Sequence, residues 1–108
     1  MRRALCAERV YVQGMDVQSR HHELRHLLNS TGRAHHAVYG GPNAGWARWY
    51  AEHMYGQALR LLESDPSVGT LESWLIRADA RYRLEEPVGS WPGFYATWLL
   101  EWDADVVG

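Results

Sequence analysis

The stretch WARWYAEHMYGQALRLL, residues 46–62, decides how the chain is read. Trp46, Trp49, Tyr50, His53, Met54, Gln57, Ala58, Leu61 and Leu62 recur at spacings of three and four, the period of one helical face. Arg48, Glu52, Arg60 and Glu63 fall on the other side, and Arg48 can pair with Glu52 one turn away. The spacing predicts an amphipathic helix that buries an aromatic stripe with His53 inside it.

The flanking segments follow from this helix. GGPNAG, residues 40–45, precedes it, with three glycines and a proline marking a loop. Upstream, Asp16 is suited to cap a helix starting at Val17, whose apolar positions are Leu24, Leu27, Leu28 and Val38. Thr31-Gly32 is the point where that helix ends, kinks or continues through RAHHAVY. Downstream, SDPSVGT (64–70) is a break with Thr70 as the next N-cap, and Leu71, Trp74, Leu75, Ala78 and Tyr82 form the following stripe. EEPVGSWPG (85–93) breaks again, and Pro92 suits the first turn of a helix. Phe94, Tyr95, Trp98, Leu99 and Trp102 give its stripe, and the acidic tail EWDADVVG is expected to fray. The one weak strand candidate is RVYVQ, residues 9–13. The pattern predicts an all-α antiparallel bundle of about four helices, with residues 1–15 as a flexible arm and 16–108 as a single helical domain.

Composition narrows the function. The 108 residues suffice for one core. A net charge of −2, with all 11 basic residues arginine, lacks the clustered positive charge of a nucleic-acid binder. Cys6 is the single cysteine, so neither an internal disulfide nor a cysteine zinc site is available, and the cytoplasm is the default compartment. Glu8 and Arg9 interrupt the basic start before a signal-peptide core develops, and no apolar run has the length of a membrane span. Six tryptophans and six tyrosines imply an aromatic core, a ligand pocket or an adhesive face.

His22-Glu23-Leu24-Arg25-His26 spells the His-Glu-x-x-His of zinc proteases, in which two histidines bind zinc and the glutamate activates water. Its helical phase argues against that use. At about 100° per residue, His22 and His26 lie opposite the stripe of Leu24 and Leu28 and point toward water. A third ligand is missing, since Asn29 and Gly32 occupy the positions of the extended pattern and Glu52 and Glu63 lie on polar faces. A di-iron carboxylate site needs a second Glu-x-x-His pair that the chain lacks. The prevailing expectation is a solvated polar face.

A second histidine group is more promising. If the first helix continues through Gly32, His35 falls on its inward phase, with Tyr39 about a turn beyond. Antiparallel pairing about residue 43 then sets His35 near the depth of His53, with His36 at the edge of the same space. Imidazoles converging among tryptophans suit a transition metal, haem or proton transfer in a pocket, and Asp79 is a candidate fourth group. The simpler reading is that each histidine is structural and bonded to a backbone carbonyl or a tyrosine.

AHHAVY, WARWYAEHM and WPGFYATWLL together resemble a group of small uncharacterised bacterial helical proteins, sharing His-His near the end of helix 1, Trp-x-x-Trp-Tyr-Ala opening helix 2 and a late Trp-Pro-x-x-Tyr-Ala. The likeness spans about residues 31–101. It implies no particular activity, but adds emphasis to His35, His36, Trp46, Trp49 and Tyr50.

The expected function is a small binding protein with a pocket for a small ligand or metal, lined by His35, His36, Tyr39, Trp46, Trp49, Tyr50 and His53, with His35 and His53 as the metal pair. Neither nucleic acid nor membrane is an expected partner, and whether the chain is an enzyme is left open. One alternative is a module self-associating into a homo-oligomer through a Trp98–Trp102 face. The other is a zinc metallohydrolase at His22, Glu23 and His26.

Overall fold

The computed structural model describes residues 15–41 and 43–108. Four helices account for most of them: α1 (Val17–Tyr39), α2 (Trp46–Leu59), α3 (Val68–Glu85) and α4 (Trp91–Val107). Each packs on its sequence neighbour, and α4 returns to α1, so the helices close a four-membered up-down ring. RVYVQ lies outside the described residues, as does nearly all of the expected arm. Met15, assigned to that arm, instead packs against the core.

Local chemistry explains the boundaries. The Ser19 N–H donates to the Asp16 carboxylate at 2.7 Å, satisfying one of the orphan donors that open α1. Gly40 ends α1 with φ 77°, a left-handed conformation that glycine adopts without penalty. α3 begins three residues earlier than expected: Ser67, not Thr70, is its N-cap, accepting from the Thr70 N–H at 3.0 Å. Pro92 sits in the first turn of α4, as its fixed φ favours.

The acidic tail does not fray. α4 continues to Val107 because Asp103 is almost fully buried and accepts from the N–H groups of Glu63 and Ser64, at 2.8 and 2.9 Å. A carboxylate on the last helix thus supplies acceptors to the turn between α2 and α3.

The core contains Leu24, Leu27 and Leu28 of α1, Leu71, Trp74 and Leu75 of α3, and Tyr95, Leu99 and Trp102 of α4. The contribution of α2 differs from the aromatic stripe. Its buried residues are Ala47, Ala51, Met54 and Ala58, followed by Leu61 and Leu62 in the turn. At about 100° per residue these four helical positions lie within about 60° of one another, and His53 is about 130° from their centre. Small side chains make the buried face, and the bulky rings flank it.

α3 and α4 run antiparallel in a register visible in their side chains. Arg77 lies 4.1 Å over Trp102 and Arg81 lies 4.0 Å over Trp98. The two indoles, 5.5 Å apart, are thereby covered by guanidinium groups of their own chain. Trp98 is half-buried and Trp102 is buried. No helix among the described residues is long and apolar enough to cross a membrane.

Candidate functional site

α1 passes through Gly32 without breaking, at a cost of about 1 kcal/mol relative to alanine. The reason is tertiary. A Cβ at Gly32 would stand 2.9 Å from the Trp91 ring and 3.1 Å from the Tyr50 hydroxyl. The missing side chain lets two rings from α2 and α4 press against the α1 backbone, and continuity carries His35 inward.

These rings border a cleft of about 620 Å³ at the end of the bundle where α1 and α3 finish and α2 and α4 begin. α1 provides Gly32, His35 and His36, and the adjoining loop provides Gly41, Asn43 and Ala44. α2 contributes Trp46 and Tyr50; α4 contributes Trp91 and Tyr95. From α3 come Asp79, Tyr82 and Arg83.

Successive rings turn sharply against one another. Trp46 meets Tyr50 at 87°, Tyr50 meets Trp91 at 58°, Trp91 meets Tyr95 at 67° and Tyr95 meets Tyr82 at 70°, with centroids 4.9–6.3 Å apart. Edge-to-face contacts of this kind suit the ring quadrupole and form a wall rather than a flat stack.

The polar groups divide into satisfied and unsatisfied. The Tyr95 hydroxyl donates to Asp79 Oδ1 at 2.7 Å, and Arg83 Nε pairs with Asp79 Oδ2 at 3.0 Å. Burial, reinforced by the hydrogen bond to Asp79 and its charge, pushes the Tyr95 phenol above its ordinary range. Burial also raises the Tyr50 phenol. His35 is only 4% exposed, and its Nε2 has no hydrogen-bond partner among the described residues. Asn43 Oδ1 is likewise buried and has no partner among the described residues. Both residues line the cleft.

Of the expected site residues, the structure brings His35, His36, Trp46 and Tyr50 into the cleft wall. Tyr39 and Trp49 contact the His35 ring, at 4.8 and 5.2 Å, and support it from outside that lining. His53 is a correction. It is exposed and stacks on Trp49 at 4.8 Å with the planes 9° apart, because the alanine face of α2 turns it away from the core. The metal pair His35–His53 loses its inward second ligand. Among the described residues no group of three or more His, Cys, Asp or Glu could hold a metal ion.

His22, Glu23 and His26 are all exposed, as their phase required. The two imidazoles touch edge to face at 4.5 Å, and Arg25 donates to His22 Nδ1 at 3.4 Å. Neither expected third ligand is at hand: Glu52 faces solvent beside Arg48, and Glu63 pairs with Arg20 at 3.8 Å.

Sequence reasoning assigned Trp91, Tyr82 and Tyr95 to elements but not to the site, and did not single out Asn43 or Arg83. Asp79 and Arg83 did carry a signal, as a carboxylate and a cation one turn apart on α3. Nothing local tied Tyr95 to them. No family model matches the chain, and neither a curated protein nor a solved structure matches it.

Proposed function

We propose that this chain is a small-molecule binding domain whose ligand enters the cleft between Trp46, Tyr50, Trp91 and Tyr95. The observation that carries the reading is His35: a buried imidazole nitrogen without a partner among the described residues, in the wall of an aromatic cavity. Leaving such a group unsatisfied costs about 1–3 kcal/mol. A ligand that bonds to it offsets that cost, whereas an apolar side chain would have avoided it. The cleft volume falls in the usual range for small-molecule sites, roughly 300–1,000 Å³. With a single cysteine and therefore no internal disulfide, the cytoplasm is the compartment assumed.

The test is a titration with single-ring and two-ring aromatics such as benzyl alcohol, indole and quinoline. It is followed through the indole N–H resonances of Trp46 and Trp91. Saturable shifts centred on these two indoles and lost in His35→Phe are expected. Uniform shifts across all six tryptophans, or none up to millimolar concentration, would remove the proposal.

A further inference from the structure

The chemistry of the unsatisfied groups points to a class of ligand. Asn43 Oδ1 can only accept a hydrogen bond, and His35 Nε2 accepts whenever the ring proton sits on Nδ1. Asp79 is a carboxylate with lone pairs beyond the two used by Tyr95 and Arg83. The hydroxyl protons of Tyr95 and Tyr82 are already committed, to Asp79 and to the Gly89 carbonyl. Tyr50 and the Trp46 and Trp91 indoles bring donors to the same lining, but the buried groups without a partner among the described residues are acceptors. Around these acceptors stand aromatic rings, and a ring's negative quadrupole attracts cations to its face. Arg83, the one arginine lining the cleft among the described residues, has a side chain 75% exposed and reaches Asp79 from outside.

From these observations we infer that the cleft is built for an organic ammonium ion carrying at least one N–H, an amine attached to an aromatic or aliphatic body. The body packs against Trp46, Tyr50 and Trp91. The ammonium donates to Asp79 and to His35 or Asn43, displacing Arg83 toward solvent. The same molecule already uses this chemistry internally, where Arg77 and Arg81 sit on the faces of Trp102 and Trp98.

The inference rests on the cleft being a ligand site, and three matched probes separate the two claims. Benzylamine, benzyl alcohol and benzoate share a ring and nearly a shape, but differ in charge. Titrated by nuclear magnetic resonance on the full chain, benzylamine is expected to bind at least about tenfold more tightly than benzyl alcohol, with benzoate weakest. Two variants sharpen the readout, which is the ratio of benzylamine to benzyl alcohol affinity. Asp79→Asn keeps an acceptor for Tyr95 and should bring the ratio down toward one. Arg83→Gln, at an exposed position, should raise it by removing the competing cation. Equal binding of benzylamine and benzyl alcohol, or a ratio that Arg83→Gln leaves unmoved, would overturn the ammonium assignment while keeping the cleft. Failure of all three probes to bind would overturn both claims. Should Asp79→Asn not fold, the wild-type ratio and Arg83→Gln still decide.

Discussion

Trp98 and Trp102 on one side of the bundle, and Trp46 and Trp91 at the cleft, are the same residue in two different situations. Each of the first pair carries an arginine from α3 at about 4 Å, and the two indoles lean on each other. The second pair stands around open volume beside an imidazole and an amide oxygen that have no partner among the described residues. Abundance of tryptophan therefore does not distinguish filler from binding wall. What distinguishes them is whether a neighbouring element delivers a complementary group, and α3 does so for one pair through Arg77 and Arg81.

The turn between α2 and α3 sharpens the contrast further. There a buried carboxylate has its partners: Asp103 accepts the backbone N–H groups of Glu63 and Ser64. Asp103→Ala is expected to have the largest effect on stability, a loss of about 2–4 kcal/mol, because two donors are left without this acceptor and a cavity opens. Urea unfolding measures it. A loss below about 1 kcal/mol would show that water replaces the carboxylate and that this end is not closed as described.

At the cleft the expected sign is opposite. His35→Phe should stabilise the fold by about 1 kcal/mol, since an apolar ring removes the unsatisfied nitrogen while keeping the contacts with Tyr39, Trp49 and Tyr50. The same variant should lose ligand binding, the usual opposition between stability and function at a site. A destabilised His35→Phe would mean that the imidazole already has a compensating partner, and the comparison between the two ends would fail.

Gly32→Ala tests the close approach of the rings. Helix propensity favours alanine by about 1 kcal/mol, but a contact of 2.9 Å with Trp91 requires that ring to shift. The expected outcome is a net stability change within about 1 kcal/mol, with altered Trp91 fluorescence and weaker ligand binding. Unchanged probe affinity would show that Trp91 does not shape the cleft.

Arg81→Ala should cost somewhat less, about 0.5–1 kcal/mol, and shift the Trp98 emission to the red as the guanidinium cover is lost. If Trp98 emission does not move, the arginine is not covering the ring in solution.

The smallest effect lies at the start of α1. Hydrogen bonds from Ser19, the backbone one foremost, hold the Asp16 carboxyl below its ordinary value of 3.8. A depressed value means that the charged form is favoured by folding, so the cap's contribution is present above that ordinary value. It is lost as the pH falls through the lower folded one. Amide exchange near Ser19 should quicken in acid, and Asp16→Ala should lack that acid phase.

Much of the fold was legible because the signals are local. The period of apolar residues, the Asp16 cap and the proline opening α4 act within a turn or two, so they survive without knowledge of any neighbour. The inward phase of His35 was legible for the same reason once Gly32 was read through. His53 was misplaced because large rings on α2 were taken as its core face, while alanines that carry little hydrophobic signal form the packed one. Asp103 looked like part of a fraying acidic tail because its partners, Glu63 and Ser64, are about 40 residues away.

The sequence by itself therefore determined four helices, their order and the outward setting of His22 and His26, all consequences of a 3.6-residue period. Only the tertiary structure decided which face of α2 turns inward, why position 32 is glycine, and that Asp79, Arg83 and Tyr95 meet beside His35. Those outcomes depend on contacts between helices, where shape and donor–acceptor pairing across space decide and the spacing of residues along the chain carries no information about either.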